Sequence, residues 1–229
     1  MKKVRILAAV LFISMMLFGV IANTASATPF EFDVGVPDAA LSTYTGPYAH
    51  WEIDLVDSTH ANITVNALTN GSNAYLLGGS NSVALNVNAS SFALSALTGN
   101  NAYWGNSGNF VYILEPTGNV SSFGVFNLGM TNFDGSFWAL TSVSFTLEDL
   151  SGTWSSASNV LTNNAAGYMA VNHIYAFNEI PPDRYVQSNT VTNGYAGERG
   201  TTKVPEPTTL LLLGLGLVGV ARISRKLKK

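Results

Sequence analysis

The sequence predicts a mainly β domain, and three observations carry that prediction. The first is hydrophobic alternation of period two, repeated along the middle of the chain. The second is a set of turn-forming pairs between the alternating runs: Asn70-Gly71, Gly99-Asn100, Gly118-Asn119 and Asp134-Gly135. These residues tolerate the positive φ that tight hairpins require. The third is composition. Only 11% of the 229 residues are charged, against roughly 25% in an ordinary soluble domain. Residues 28–203 are rich in Asn, Ser, Thr and Gly and hold 23 aromatics, which disfavours long solvated helices. Eight or so short strands with frequent turns point to a β-sandwich of jelly-roll or lectin-like type, with a solenoid as the alternative.

Trp51, Ile53 and Leu55 alternate with Glu52 and Asp54; Ile63, Val65 and Ala67 alternate with Thr64 and Asn66. Val83, Leu85 and Val87 alternate with Ala84 and Asn86, and Val143, Phe145 and Leu147 with Ser144, Thr146 and Glu148. Each pattern predicts a half-buried strand. Further strands are expected over 92–97, 110–115, 123–130 and 168–177, and a short helix near 153–160. The domain is placed at 28–178. From Glu179 the pattern stops: Pro181-Pro182 and the polar run to Thr202 read as a flexible linker, 179–203.

Both ends carry apolar segments. Lys2, Lys3 and Arg5 precede a 17-residue run, Ile6 to Ala22, broken only by Ser14 and Gly19. Ala25-Ser26-Ala27 follows as a small-x-small cleavage site. This order predicts a signal peptide over 1–27, with the mature chain starting at Thr28. At the other end, Val204-Pro205-Glu206-Pro207 precedes Leu210 to Ala221, composed of Leu, Gly, Val and Ala alone. The prolines stop upstream structure from entering the segment. Thr208 to Ile223 gives 16 residues, about 24 Å of helix, shorter than the ~30 Å hydrocarbon core. Arg222, Arg225, Lys226, Lys228 and Lys229 form a basic tail that stays cytoplasmic. Gly214-Leu-Gly216-Leu-Val-Gly219 imitates a dinucleotide fingerprint, but the chain ends ten residues later, with no βαβ unit or acidic partner.

The order Pro-Glu-Pro, short span and basic tail, over residues 204–229, resembles the PEP-CTERM sorting signal. The resemblance implies export by a Gram-negative bacterium that makes exopolysaccharide. It further implies an exosortase that recognises Pro205-Glu206-Pro207 and removes the tail, transient anchoring in the inner membrane, and a final place at the cell surface or in the extracellular matrix. Thr59-His60-Ala61-Asn62 resembles the T-H-x-N motif of one group of PEP-CTERM proteins; no biochemical role follows from it.

The composition excludes several chemistries. Without cysteine there are no disulfides, iron–sulfur clusters or thiol nucleophiles. The net charge of −3 conceals an uneven distribution: residues 28–203 hold 3 basic and 13 acidic side chains, −10 net. That balance, with no basic patch, disfavours nucleic acid. His50, His60 and His173 show no metal-ligand spacing, so no metal or cofactor is expected. The acidic groups and Asn-rich loops could supply oxygens to Ca2+, but no calcium-loop motif is present. No G-x-S-x-G or other nucleophile arrangement occurs, and no catalytic residue is assigned. Tyr103-Trp104 lies in a Gly/Asn-rich run and is the candidate glycan contact, since aromatic faces stack on sugar rings. The leading reading is an exported, non-enzymatic surface or matrix protein associated with exopolysaccharide. A lectin-like carbohydrate-binding module and, further off, a glycan-active hydrolase are the alternatives.

Overall fold

Alternation becomes strands wherever one side of a segment can be buried. The structure, a computed structural model, describes residues 28–101, 113–132, 138–178 and 191–200. In chain order the strands are β1 (Phe30–Val34), β2 (Val36–Pro37), β3 (Ala49–Leu55), β4 (His60–Ala67), β5 (Thr69–Asn70), β6 (Asn73–Leu77), β7 (Val83–Leu85) and β8 (Phe92–Asn101). They continue with β9 (Ile113–Glu115), β10 (Leu128–Thr131), β11 (Leu140–Asp149), β12 (Ala170–Phe177) and β13 (Thr192–Glu198). Two single 3-10 turns, Ala39–Leu41 and Ala157–Asn159, are the helical elements among the described residues. The second falls inside the segment where a short helix was expected.

All thirteen strands join one hydrogen-bonded network. The mainly β class is therefore observed, while the pairing does not divide into two separate sheets. One half runs β1-β3-β4-β11-β8, antiparallel throughout. The other runs from β2 through β13 to β12, then to β6 on one branch and through β7 and β10 to β9 on another. The halves meet at two corners. Leu140 of β11 pairs with Leu77 of β6. At the other corner the chain passes from β1 through Gly35 into β2, which pairs with β13. The sheet is thereby nearly closed on itself.

The core fills the space between the halves. Trp51, Ile53, Ile63, Val65, Val143, Phe145 and Leu147 come from one half, and Leu77, Val83, Leu85, Ala170 and Ile174 from the other. Asn172 of β12 is fully buried. Its Oδ1 accepts from Trp51 Nε1 at 2.8 Å and its Nδ2 donates to the Ser82 carbonyl at 3.0 Å. One side chain thus ties β3 to β12 through the core and satisfies two groups that burial would otherwise penalise.

Strands β3, β4 and β11 appear where alternation predicts them, because one face of each meets solvent. Elsewhere the structure departs from expectation. The pattern Val83–Val87 predicts a half-buried strand, yet all three residues of β7 are buried, since Ala84 packs with Phe123 and Phe126 on the reverse side. The strand expected over 123–130 shrinks to β10. Phe123 and Phe126 instead lie in a loop, packed with Val171 and fixed by the Phe126 N–H donating to Thr117 Oγ1 at 2.8 Å. Gly99-Asn100, expected as a turn, lies inside β8. Asn70-Gly71 does turn the chain, between β5 and β6, with Gly71 at φ +62. The strand expected over 110–115 is seen as β9, its first three residues lying outside the described region; so does Asp134-Gly135.

The expected linker 179–203 needs correction. Residues 192–198 form β13, which pairs with β12 over seven consecutive positions, so the domain extends beyond 178. Gly194 and Gly197 explain why the segment looks structureless in sequence. A Cβ on Gly194 would stand 2.6 Å from Asp38 Oδ1, and one on Gly197 would stand 2.6 Å from Phe123 Cδ1. The strand fits because these side chains are missing. Residues 179–190 and 201–203 lie outside the described region.

Candidate functional site

The T-H-x-N residues sit where β3 turns into β4. Asp57 organises the turn. Its Oδ1 accepts from the Thr59 N–H at 2.7 Å, the Thr59 hydroxyl at 2.9 Å and the His60 N–H at 2.8 Å. His60 Nδ1 lies 3.0 Å from the same carboxylate. The Thr59 amide bond, then the bonds from the His60 ring and the Thr59 hydroxyl, hold Asp57 well below the usual carboxylate range. Asn62, one turn of the pleat further, accepts from the Thr146 hydroxyl of β11 at 2.8 Å. His60 Nε2 is 3.8 Å from Glu148 Oε1.

A second turn of the same design packs against the first. Asp149 Oδ1 accepts from the Ser151 N–H at 2.8 Å, the Ser151 hydroxyl at 2.9 Å and the Gly152 N–H at 2.9 Å. Burial opposes ionisation of Asp149, and these bonds outweigh it, so its carboxyl is held below the ordinary value. The Asp149 N–H donates to the Thr59 carbonyl at 2.8 Å, and the Trp154 N–H to the Ser58 carbonyl at 2.7 Å. Trp154 is buried and donates its Nε1 to the Asn88 carbonyl at 2.9 Å. The T-H-x-N segment therefore ties the tip of the β3–β4 hairpin to the turn that follows β11, and through Trp154 to the loop before β8. The Asp149 turn was not singled out from sequence, although Asp-x-Ser at 149–151 repeats the Asp-x-Thr spacing of 57–59.

The remaining histidines separate. His50 Nδ1 is 2.7 Å from Asp33 Oδ1 across the β1–β3 pair, on the solvent face. His173 is buried and stacks on Tyr195, with centroids 4.5 Å apart. Among the described residues no three His, Asp or Glu side chains come together as a metal ion requires. Of the tryptophans, Trp51 and Trp154 are core residues and Trp138 is partly exposed. Tyr103 and Trp104, the candidate glycan contacts, lie outside the described residues. So do Ala25 and Ala27 of the cleavage site, Val204, Pro205, Glu206 and Pro207, the basic tail from Arg222 to Lys229, and the expected membrane helix at about 208–223. Thr28 is exposed at the start of the described chain. Among the described residues no helix is long and apolar enough to cross a membrane.

A β domain is therefore followed in the sequence by a C-terminal segment with the marks of a processing signal, the class of an exported protein sorted at a membrane. Residues 203–226 match the PEP-CTERM protein-sorting motif. The chain carries that motif, which implies export, processing by an exosortase and transient membrane association on the way to the surface. No curated protein and no solved structure matches the chain.

Proposed function

We propose that the protein is a non-catalytic component of the cell surface or extracellular matrix, released outward by exosortase and associated with exopolysaccharide. The sorting motif at 203–226 is the observation that carries the reading. Supporting it, the sequence holds no cysteine and no nucleophile motif, and the His60 and Asp57 groups are spent on closing a turn. The Thr59-His60-Ala61-Asn62 sequence is what supports placing the chain in the T-H-x-N group; Thr59 and His60 close one turn with Asp57, while Asn62 bonds Thr146 of β11.

The test replaces Pro205-Glu206-Pro207 with alanines and follows the chain by pulse labelling and fractionation. The expected result is an unprocessed precursor that accumulates in the inner membrane, with loss from the surface and matrix fractions. Unchanged processing and unchanged surface delivery overturn the proposal.

A further inference from the structure

The solvent face of β1-β3-β4-β11-β8 carries side chains in rows that follow the strand register. One row is Asp33, His50, Asn66, Ser142 and Asn100; the next is Glu31, Glu52, Thr64, Ser144 and Thr98. Neither row contains a hydrocarbon side chain. With strands about 4.8 Å apart, each row crosses roughly 19 Å of polar surface. Carboxylates gather at the β1–β3 end, and hydroxyls and amides at the β11–β8 end.

At that second end the face is indented. Thr98, Gly99, Asn100, Ser142 and Ser144 line an open depression of about 180 Å³. Gly99 lies opposite Val143, a core residue, so backbone forms the floor between four small polar side chains. Two of those side chains are already engaged: Ser144 Oγ lies 3.3 Å from Thr64 Oγ1, and Thr98 Oγ1 lies 3.5 Å from the Ser144 carbonyl. Among the described residues, no hydrogen bond engages the Ser142 hydroxyl or the Asn100 side-chain amide. The depression thus offers one hydroxyl and one carboxamide, each able to donate and accept, to a ligand in solvent.

We infer that this depression is a subsite for a neutral polysaccharide. A sugar ring presents vicinal hydroxyls that both donate and accept, which is what an adjacent hydroxyl and carboxamide pair with. Charge narrows the class. Glu31, Asp33 and Glu52 occupy the same two rows. Arg199, the only Lys or Arg among the described residues, is engaged with Tyr168, its guanidinium 4.8 Å from the ring centroid and donating to the phenol oxygen at 3.1 Å. A polymer of uronic acids lying along these rows meets like charge at their β1–β3 end and, among the described residues, no free cation to offset it, whereas an uncharged glycan meets neither penalty. The inference rests on the reading that the protein associates with polysaccharide, and it names where and of what class.

The test is affinity electrophoresis of the full chain through native gels containing dextran, mannan or alginate. Ser142→Val/Ser144→Val is run alongside; valine suits a strand, and far-UV circular dichroism checks that the variant folds. The expected result is retardation by dextran or mannan and none by alginate, with the variant weakened by about tenfold, the effect of losing one to two hydrogen bonds. Retardation by alginate alone, by none of the three polymers, or to the same degree in a folded variant overturns the inference. The two proposals fail separately. A groove variant that binds as wild type while the chain is still processed and delivered removes the subsite alone; unchanged processing of the Pro-Glu-Pro variant removes the sorting function and leaves the groove standing.

Discussion

Asn172 offers the sharpest test of how the two halves of the sheet are held together. Replacing it with leucine keeps the branched outline of the side chain, with a larger volume, but removes both hydrogen bonds. Trp51 Nε1, now 2.8 Å from Asn172 Oδ1, loses its acceptor, and the Ser82 carbonyl loses a donor at 3.0 Å. Asn172 and Trp51 are both fully buried, so water does not replace what is lost. Each stranded group costs about 1–3 kcal/mol. Leucine recovers part of that by burying apolar surface, so the net loss is about 2–4 kcal/mol. At about 2–4 °C per kcal/mol for a domain of this size, the melting temperature falls by roughly 5–15 °C. Trp51→Phe alone strands Asn172 Oδ1 and opens a cavity. The double variant strands neither partner of that bond, leaving only the Ser82 carbonyl without Asn172. Its cost therefore falls short of the sum of the single costs by about 1–3 kcal/mol. Urea unfolding followed by far-UV circular dichroism measures all three. Additivity within about 0.5 kcal/mol, or a loss below about 1 kcal/mol for Asn172→Leu, refutes the idea that this bond clamps β3 to β12.

Two other perturbations probe the turn and the last strand. Asp57 has a depressed pKa in the folded protein, so its contribution to stability is present above the ordinary value of 3.8 and is lost as pH falls through the lower folded value. Asp57→Asn is expected to melt below wild type at pH 7, with the gap narrowing toward about pH 3; a gap of equal size at both pH values, read by thermal melts, counts against the assigned role. Gly197→Ala drives a methyl into the Phe123 ring, which lies edge-on to Tyr168 with centroids 4.9 Å apart. The expected cost is about 1–3 kcal/mol in urea unfolding, and no change in midpoint would return residues 192–198 to the status of a linker.

How much of this was legible in the sequence depends on whether a segment has one solvated face. In β3, β4 and β11 the buried residues alternate with polar ones because those strands separate core from water, and the pattern appears in the linear text. β12 is buried along its whole length, with Ile174 and Ala176 in the main core and Val171 under Phe123 and Phe126. Its aromatic and β-branched residues mark a strand without saying which side faces in. β13 is the opposite case, specified by two missing side chains, and absence carries no periodicity. β8 shows a third kind of concealment. The register with β11 shifts between Ser144 and Thr146, beside Ala96 at φ +52. That bulge lets Leu94 and Leu97, three apart, both pack against the core, which strict alternation forbids.

The sites divide along the same line. Asp57-x-Thr59 is readable because an Asx turn is closed by residues two and three apart, whereas its docking against Asp149 joins positions some ninety residues apart and needs the fold. The polar rows need it still more: Asn66, Ser142 and Asn100 become neighbours only through the register of β4, β11 and β8. The sorting motif was the most legible feature of all, since its order of prolines, apolar residues and basic tail is complete within 24 residues. A signal of that kind depends on local order, so it can be read before any tertiary contact is known. The sorting signal is therefore written along the chain, while the surface proposed to meet a ligand is written across the strands. The charge balance bears on both: residues 28–203 carry −10 net while most basic side chains lie at the two ends, which is the balance that the proposed uncharged partner would meet.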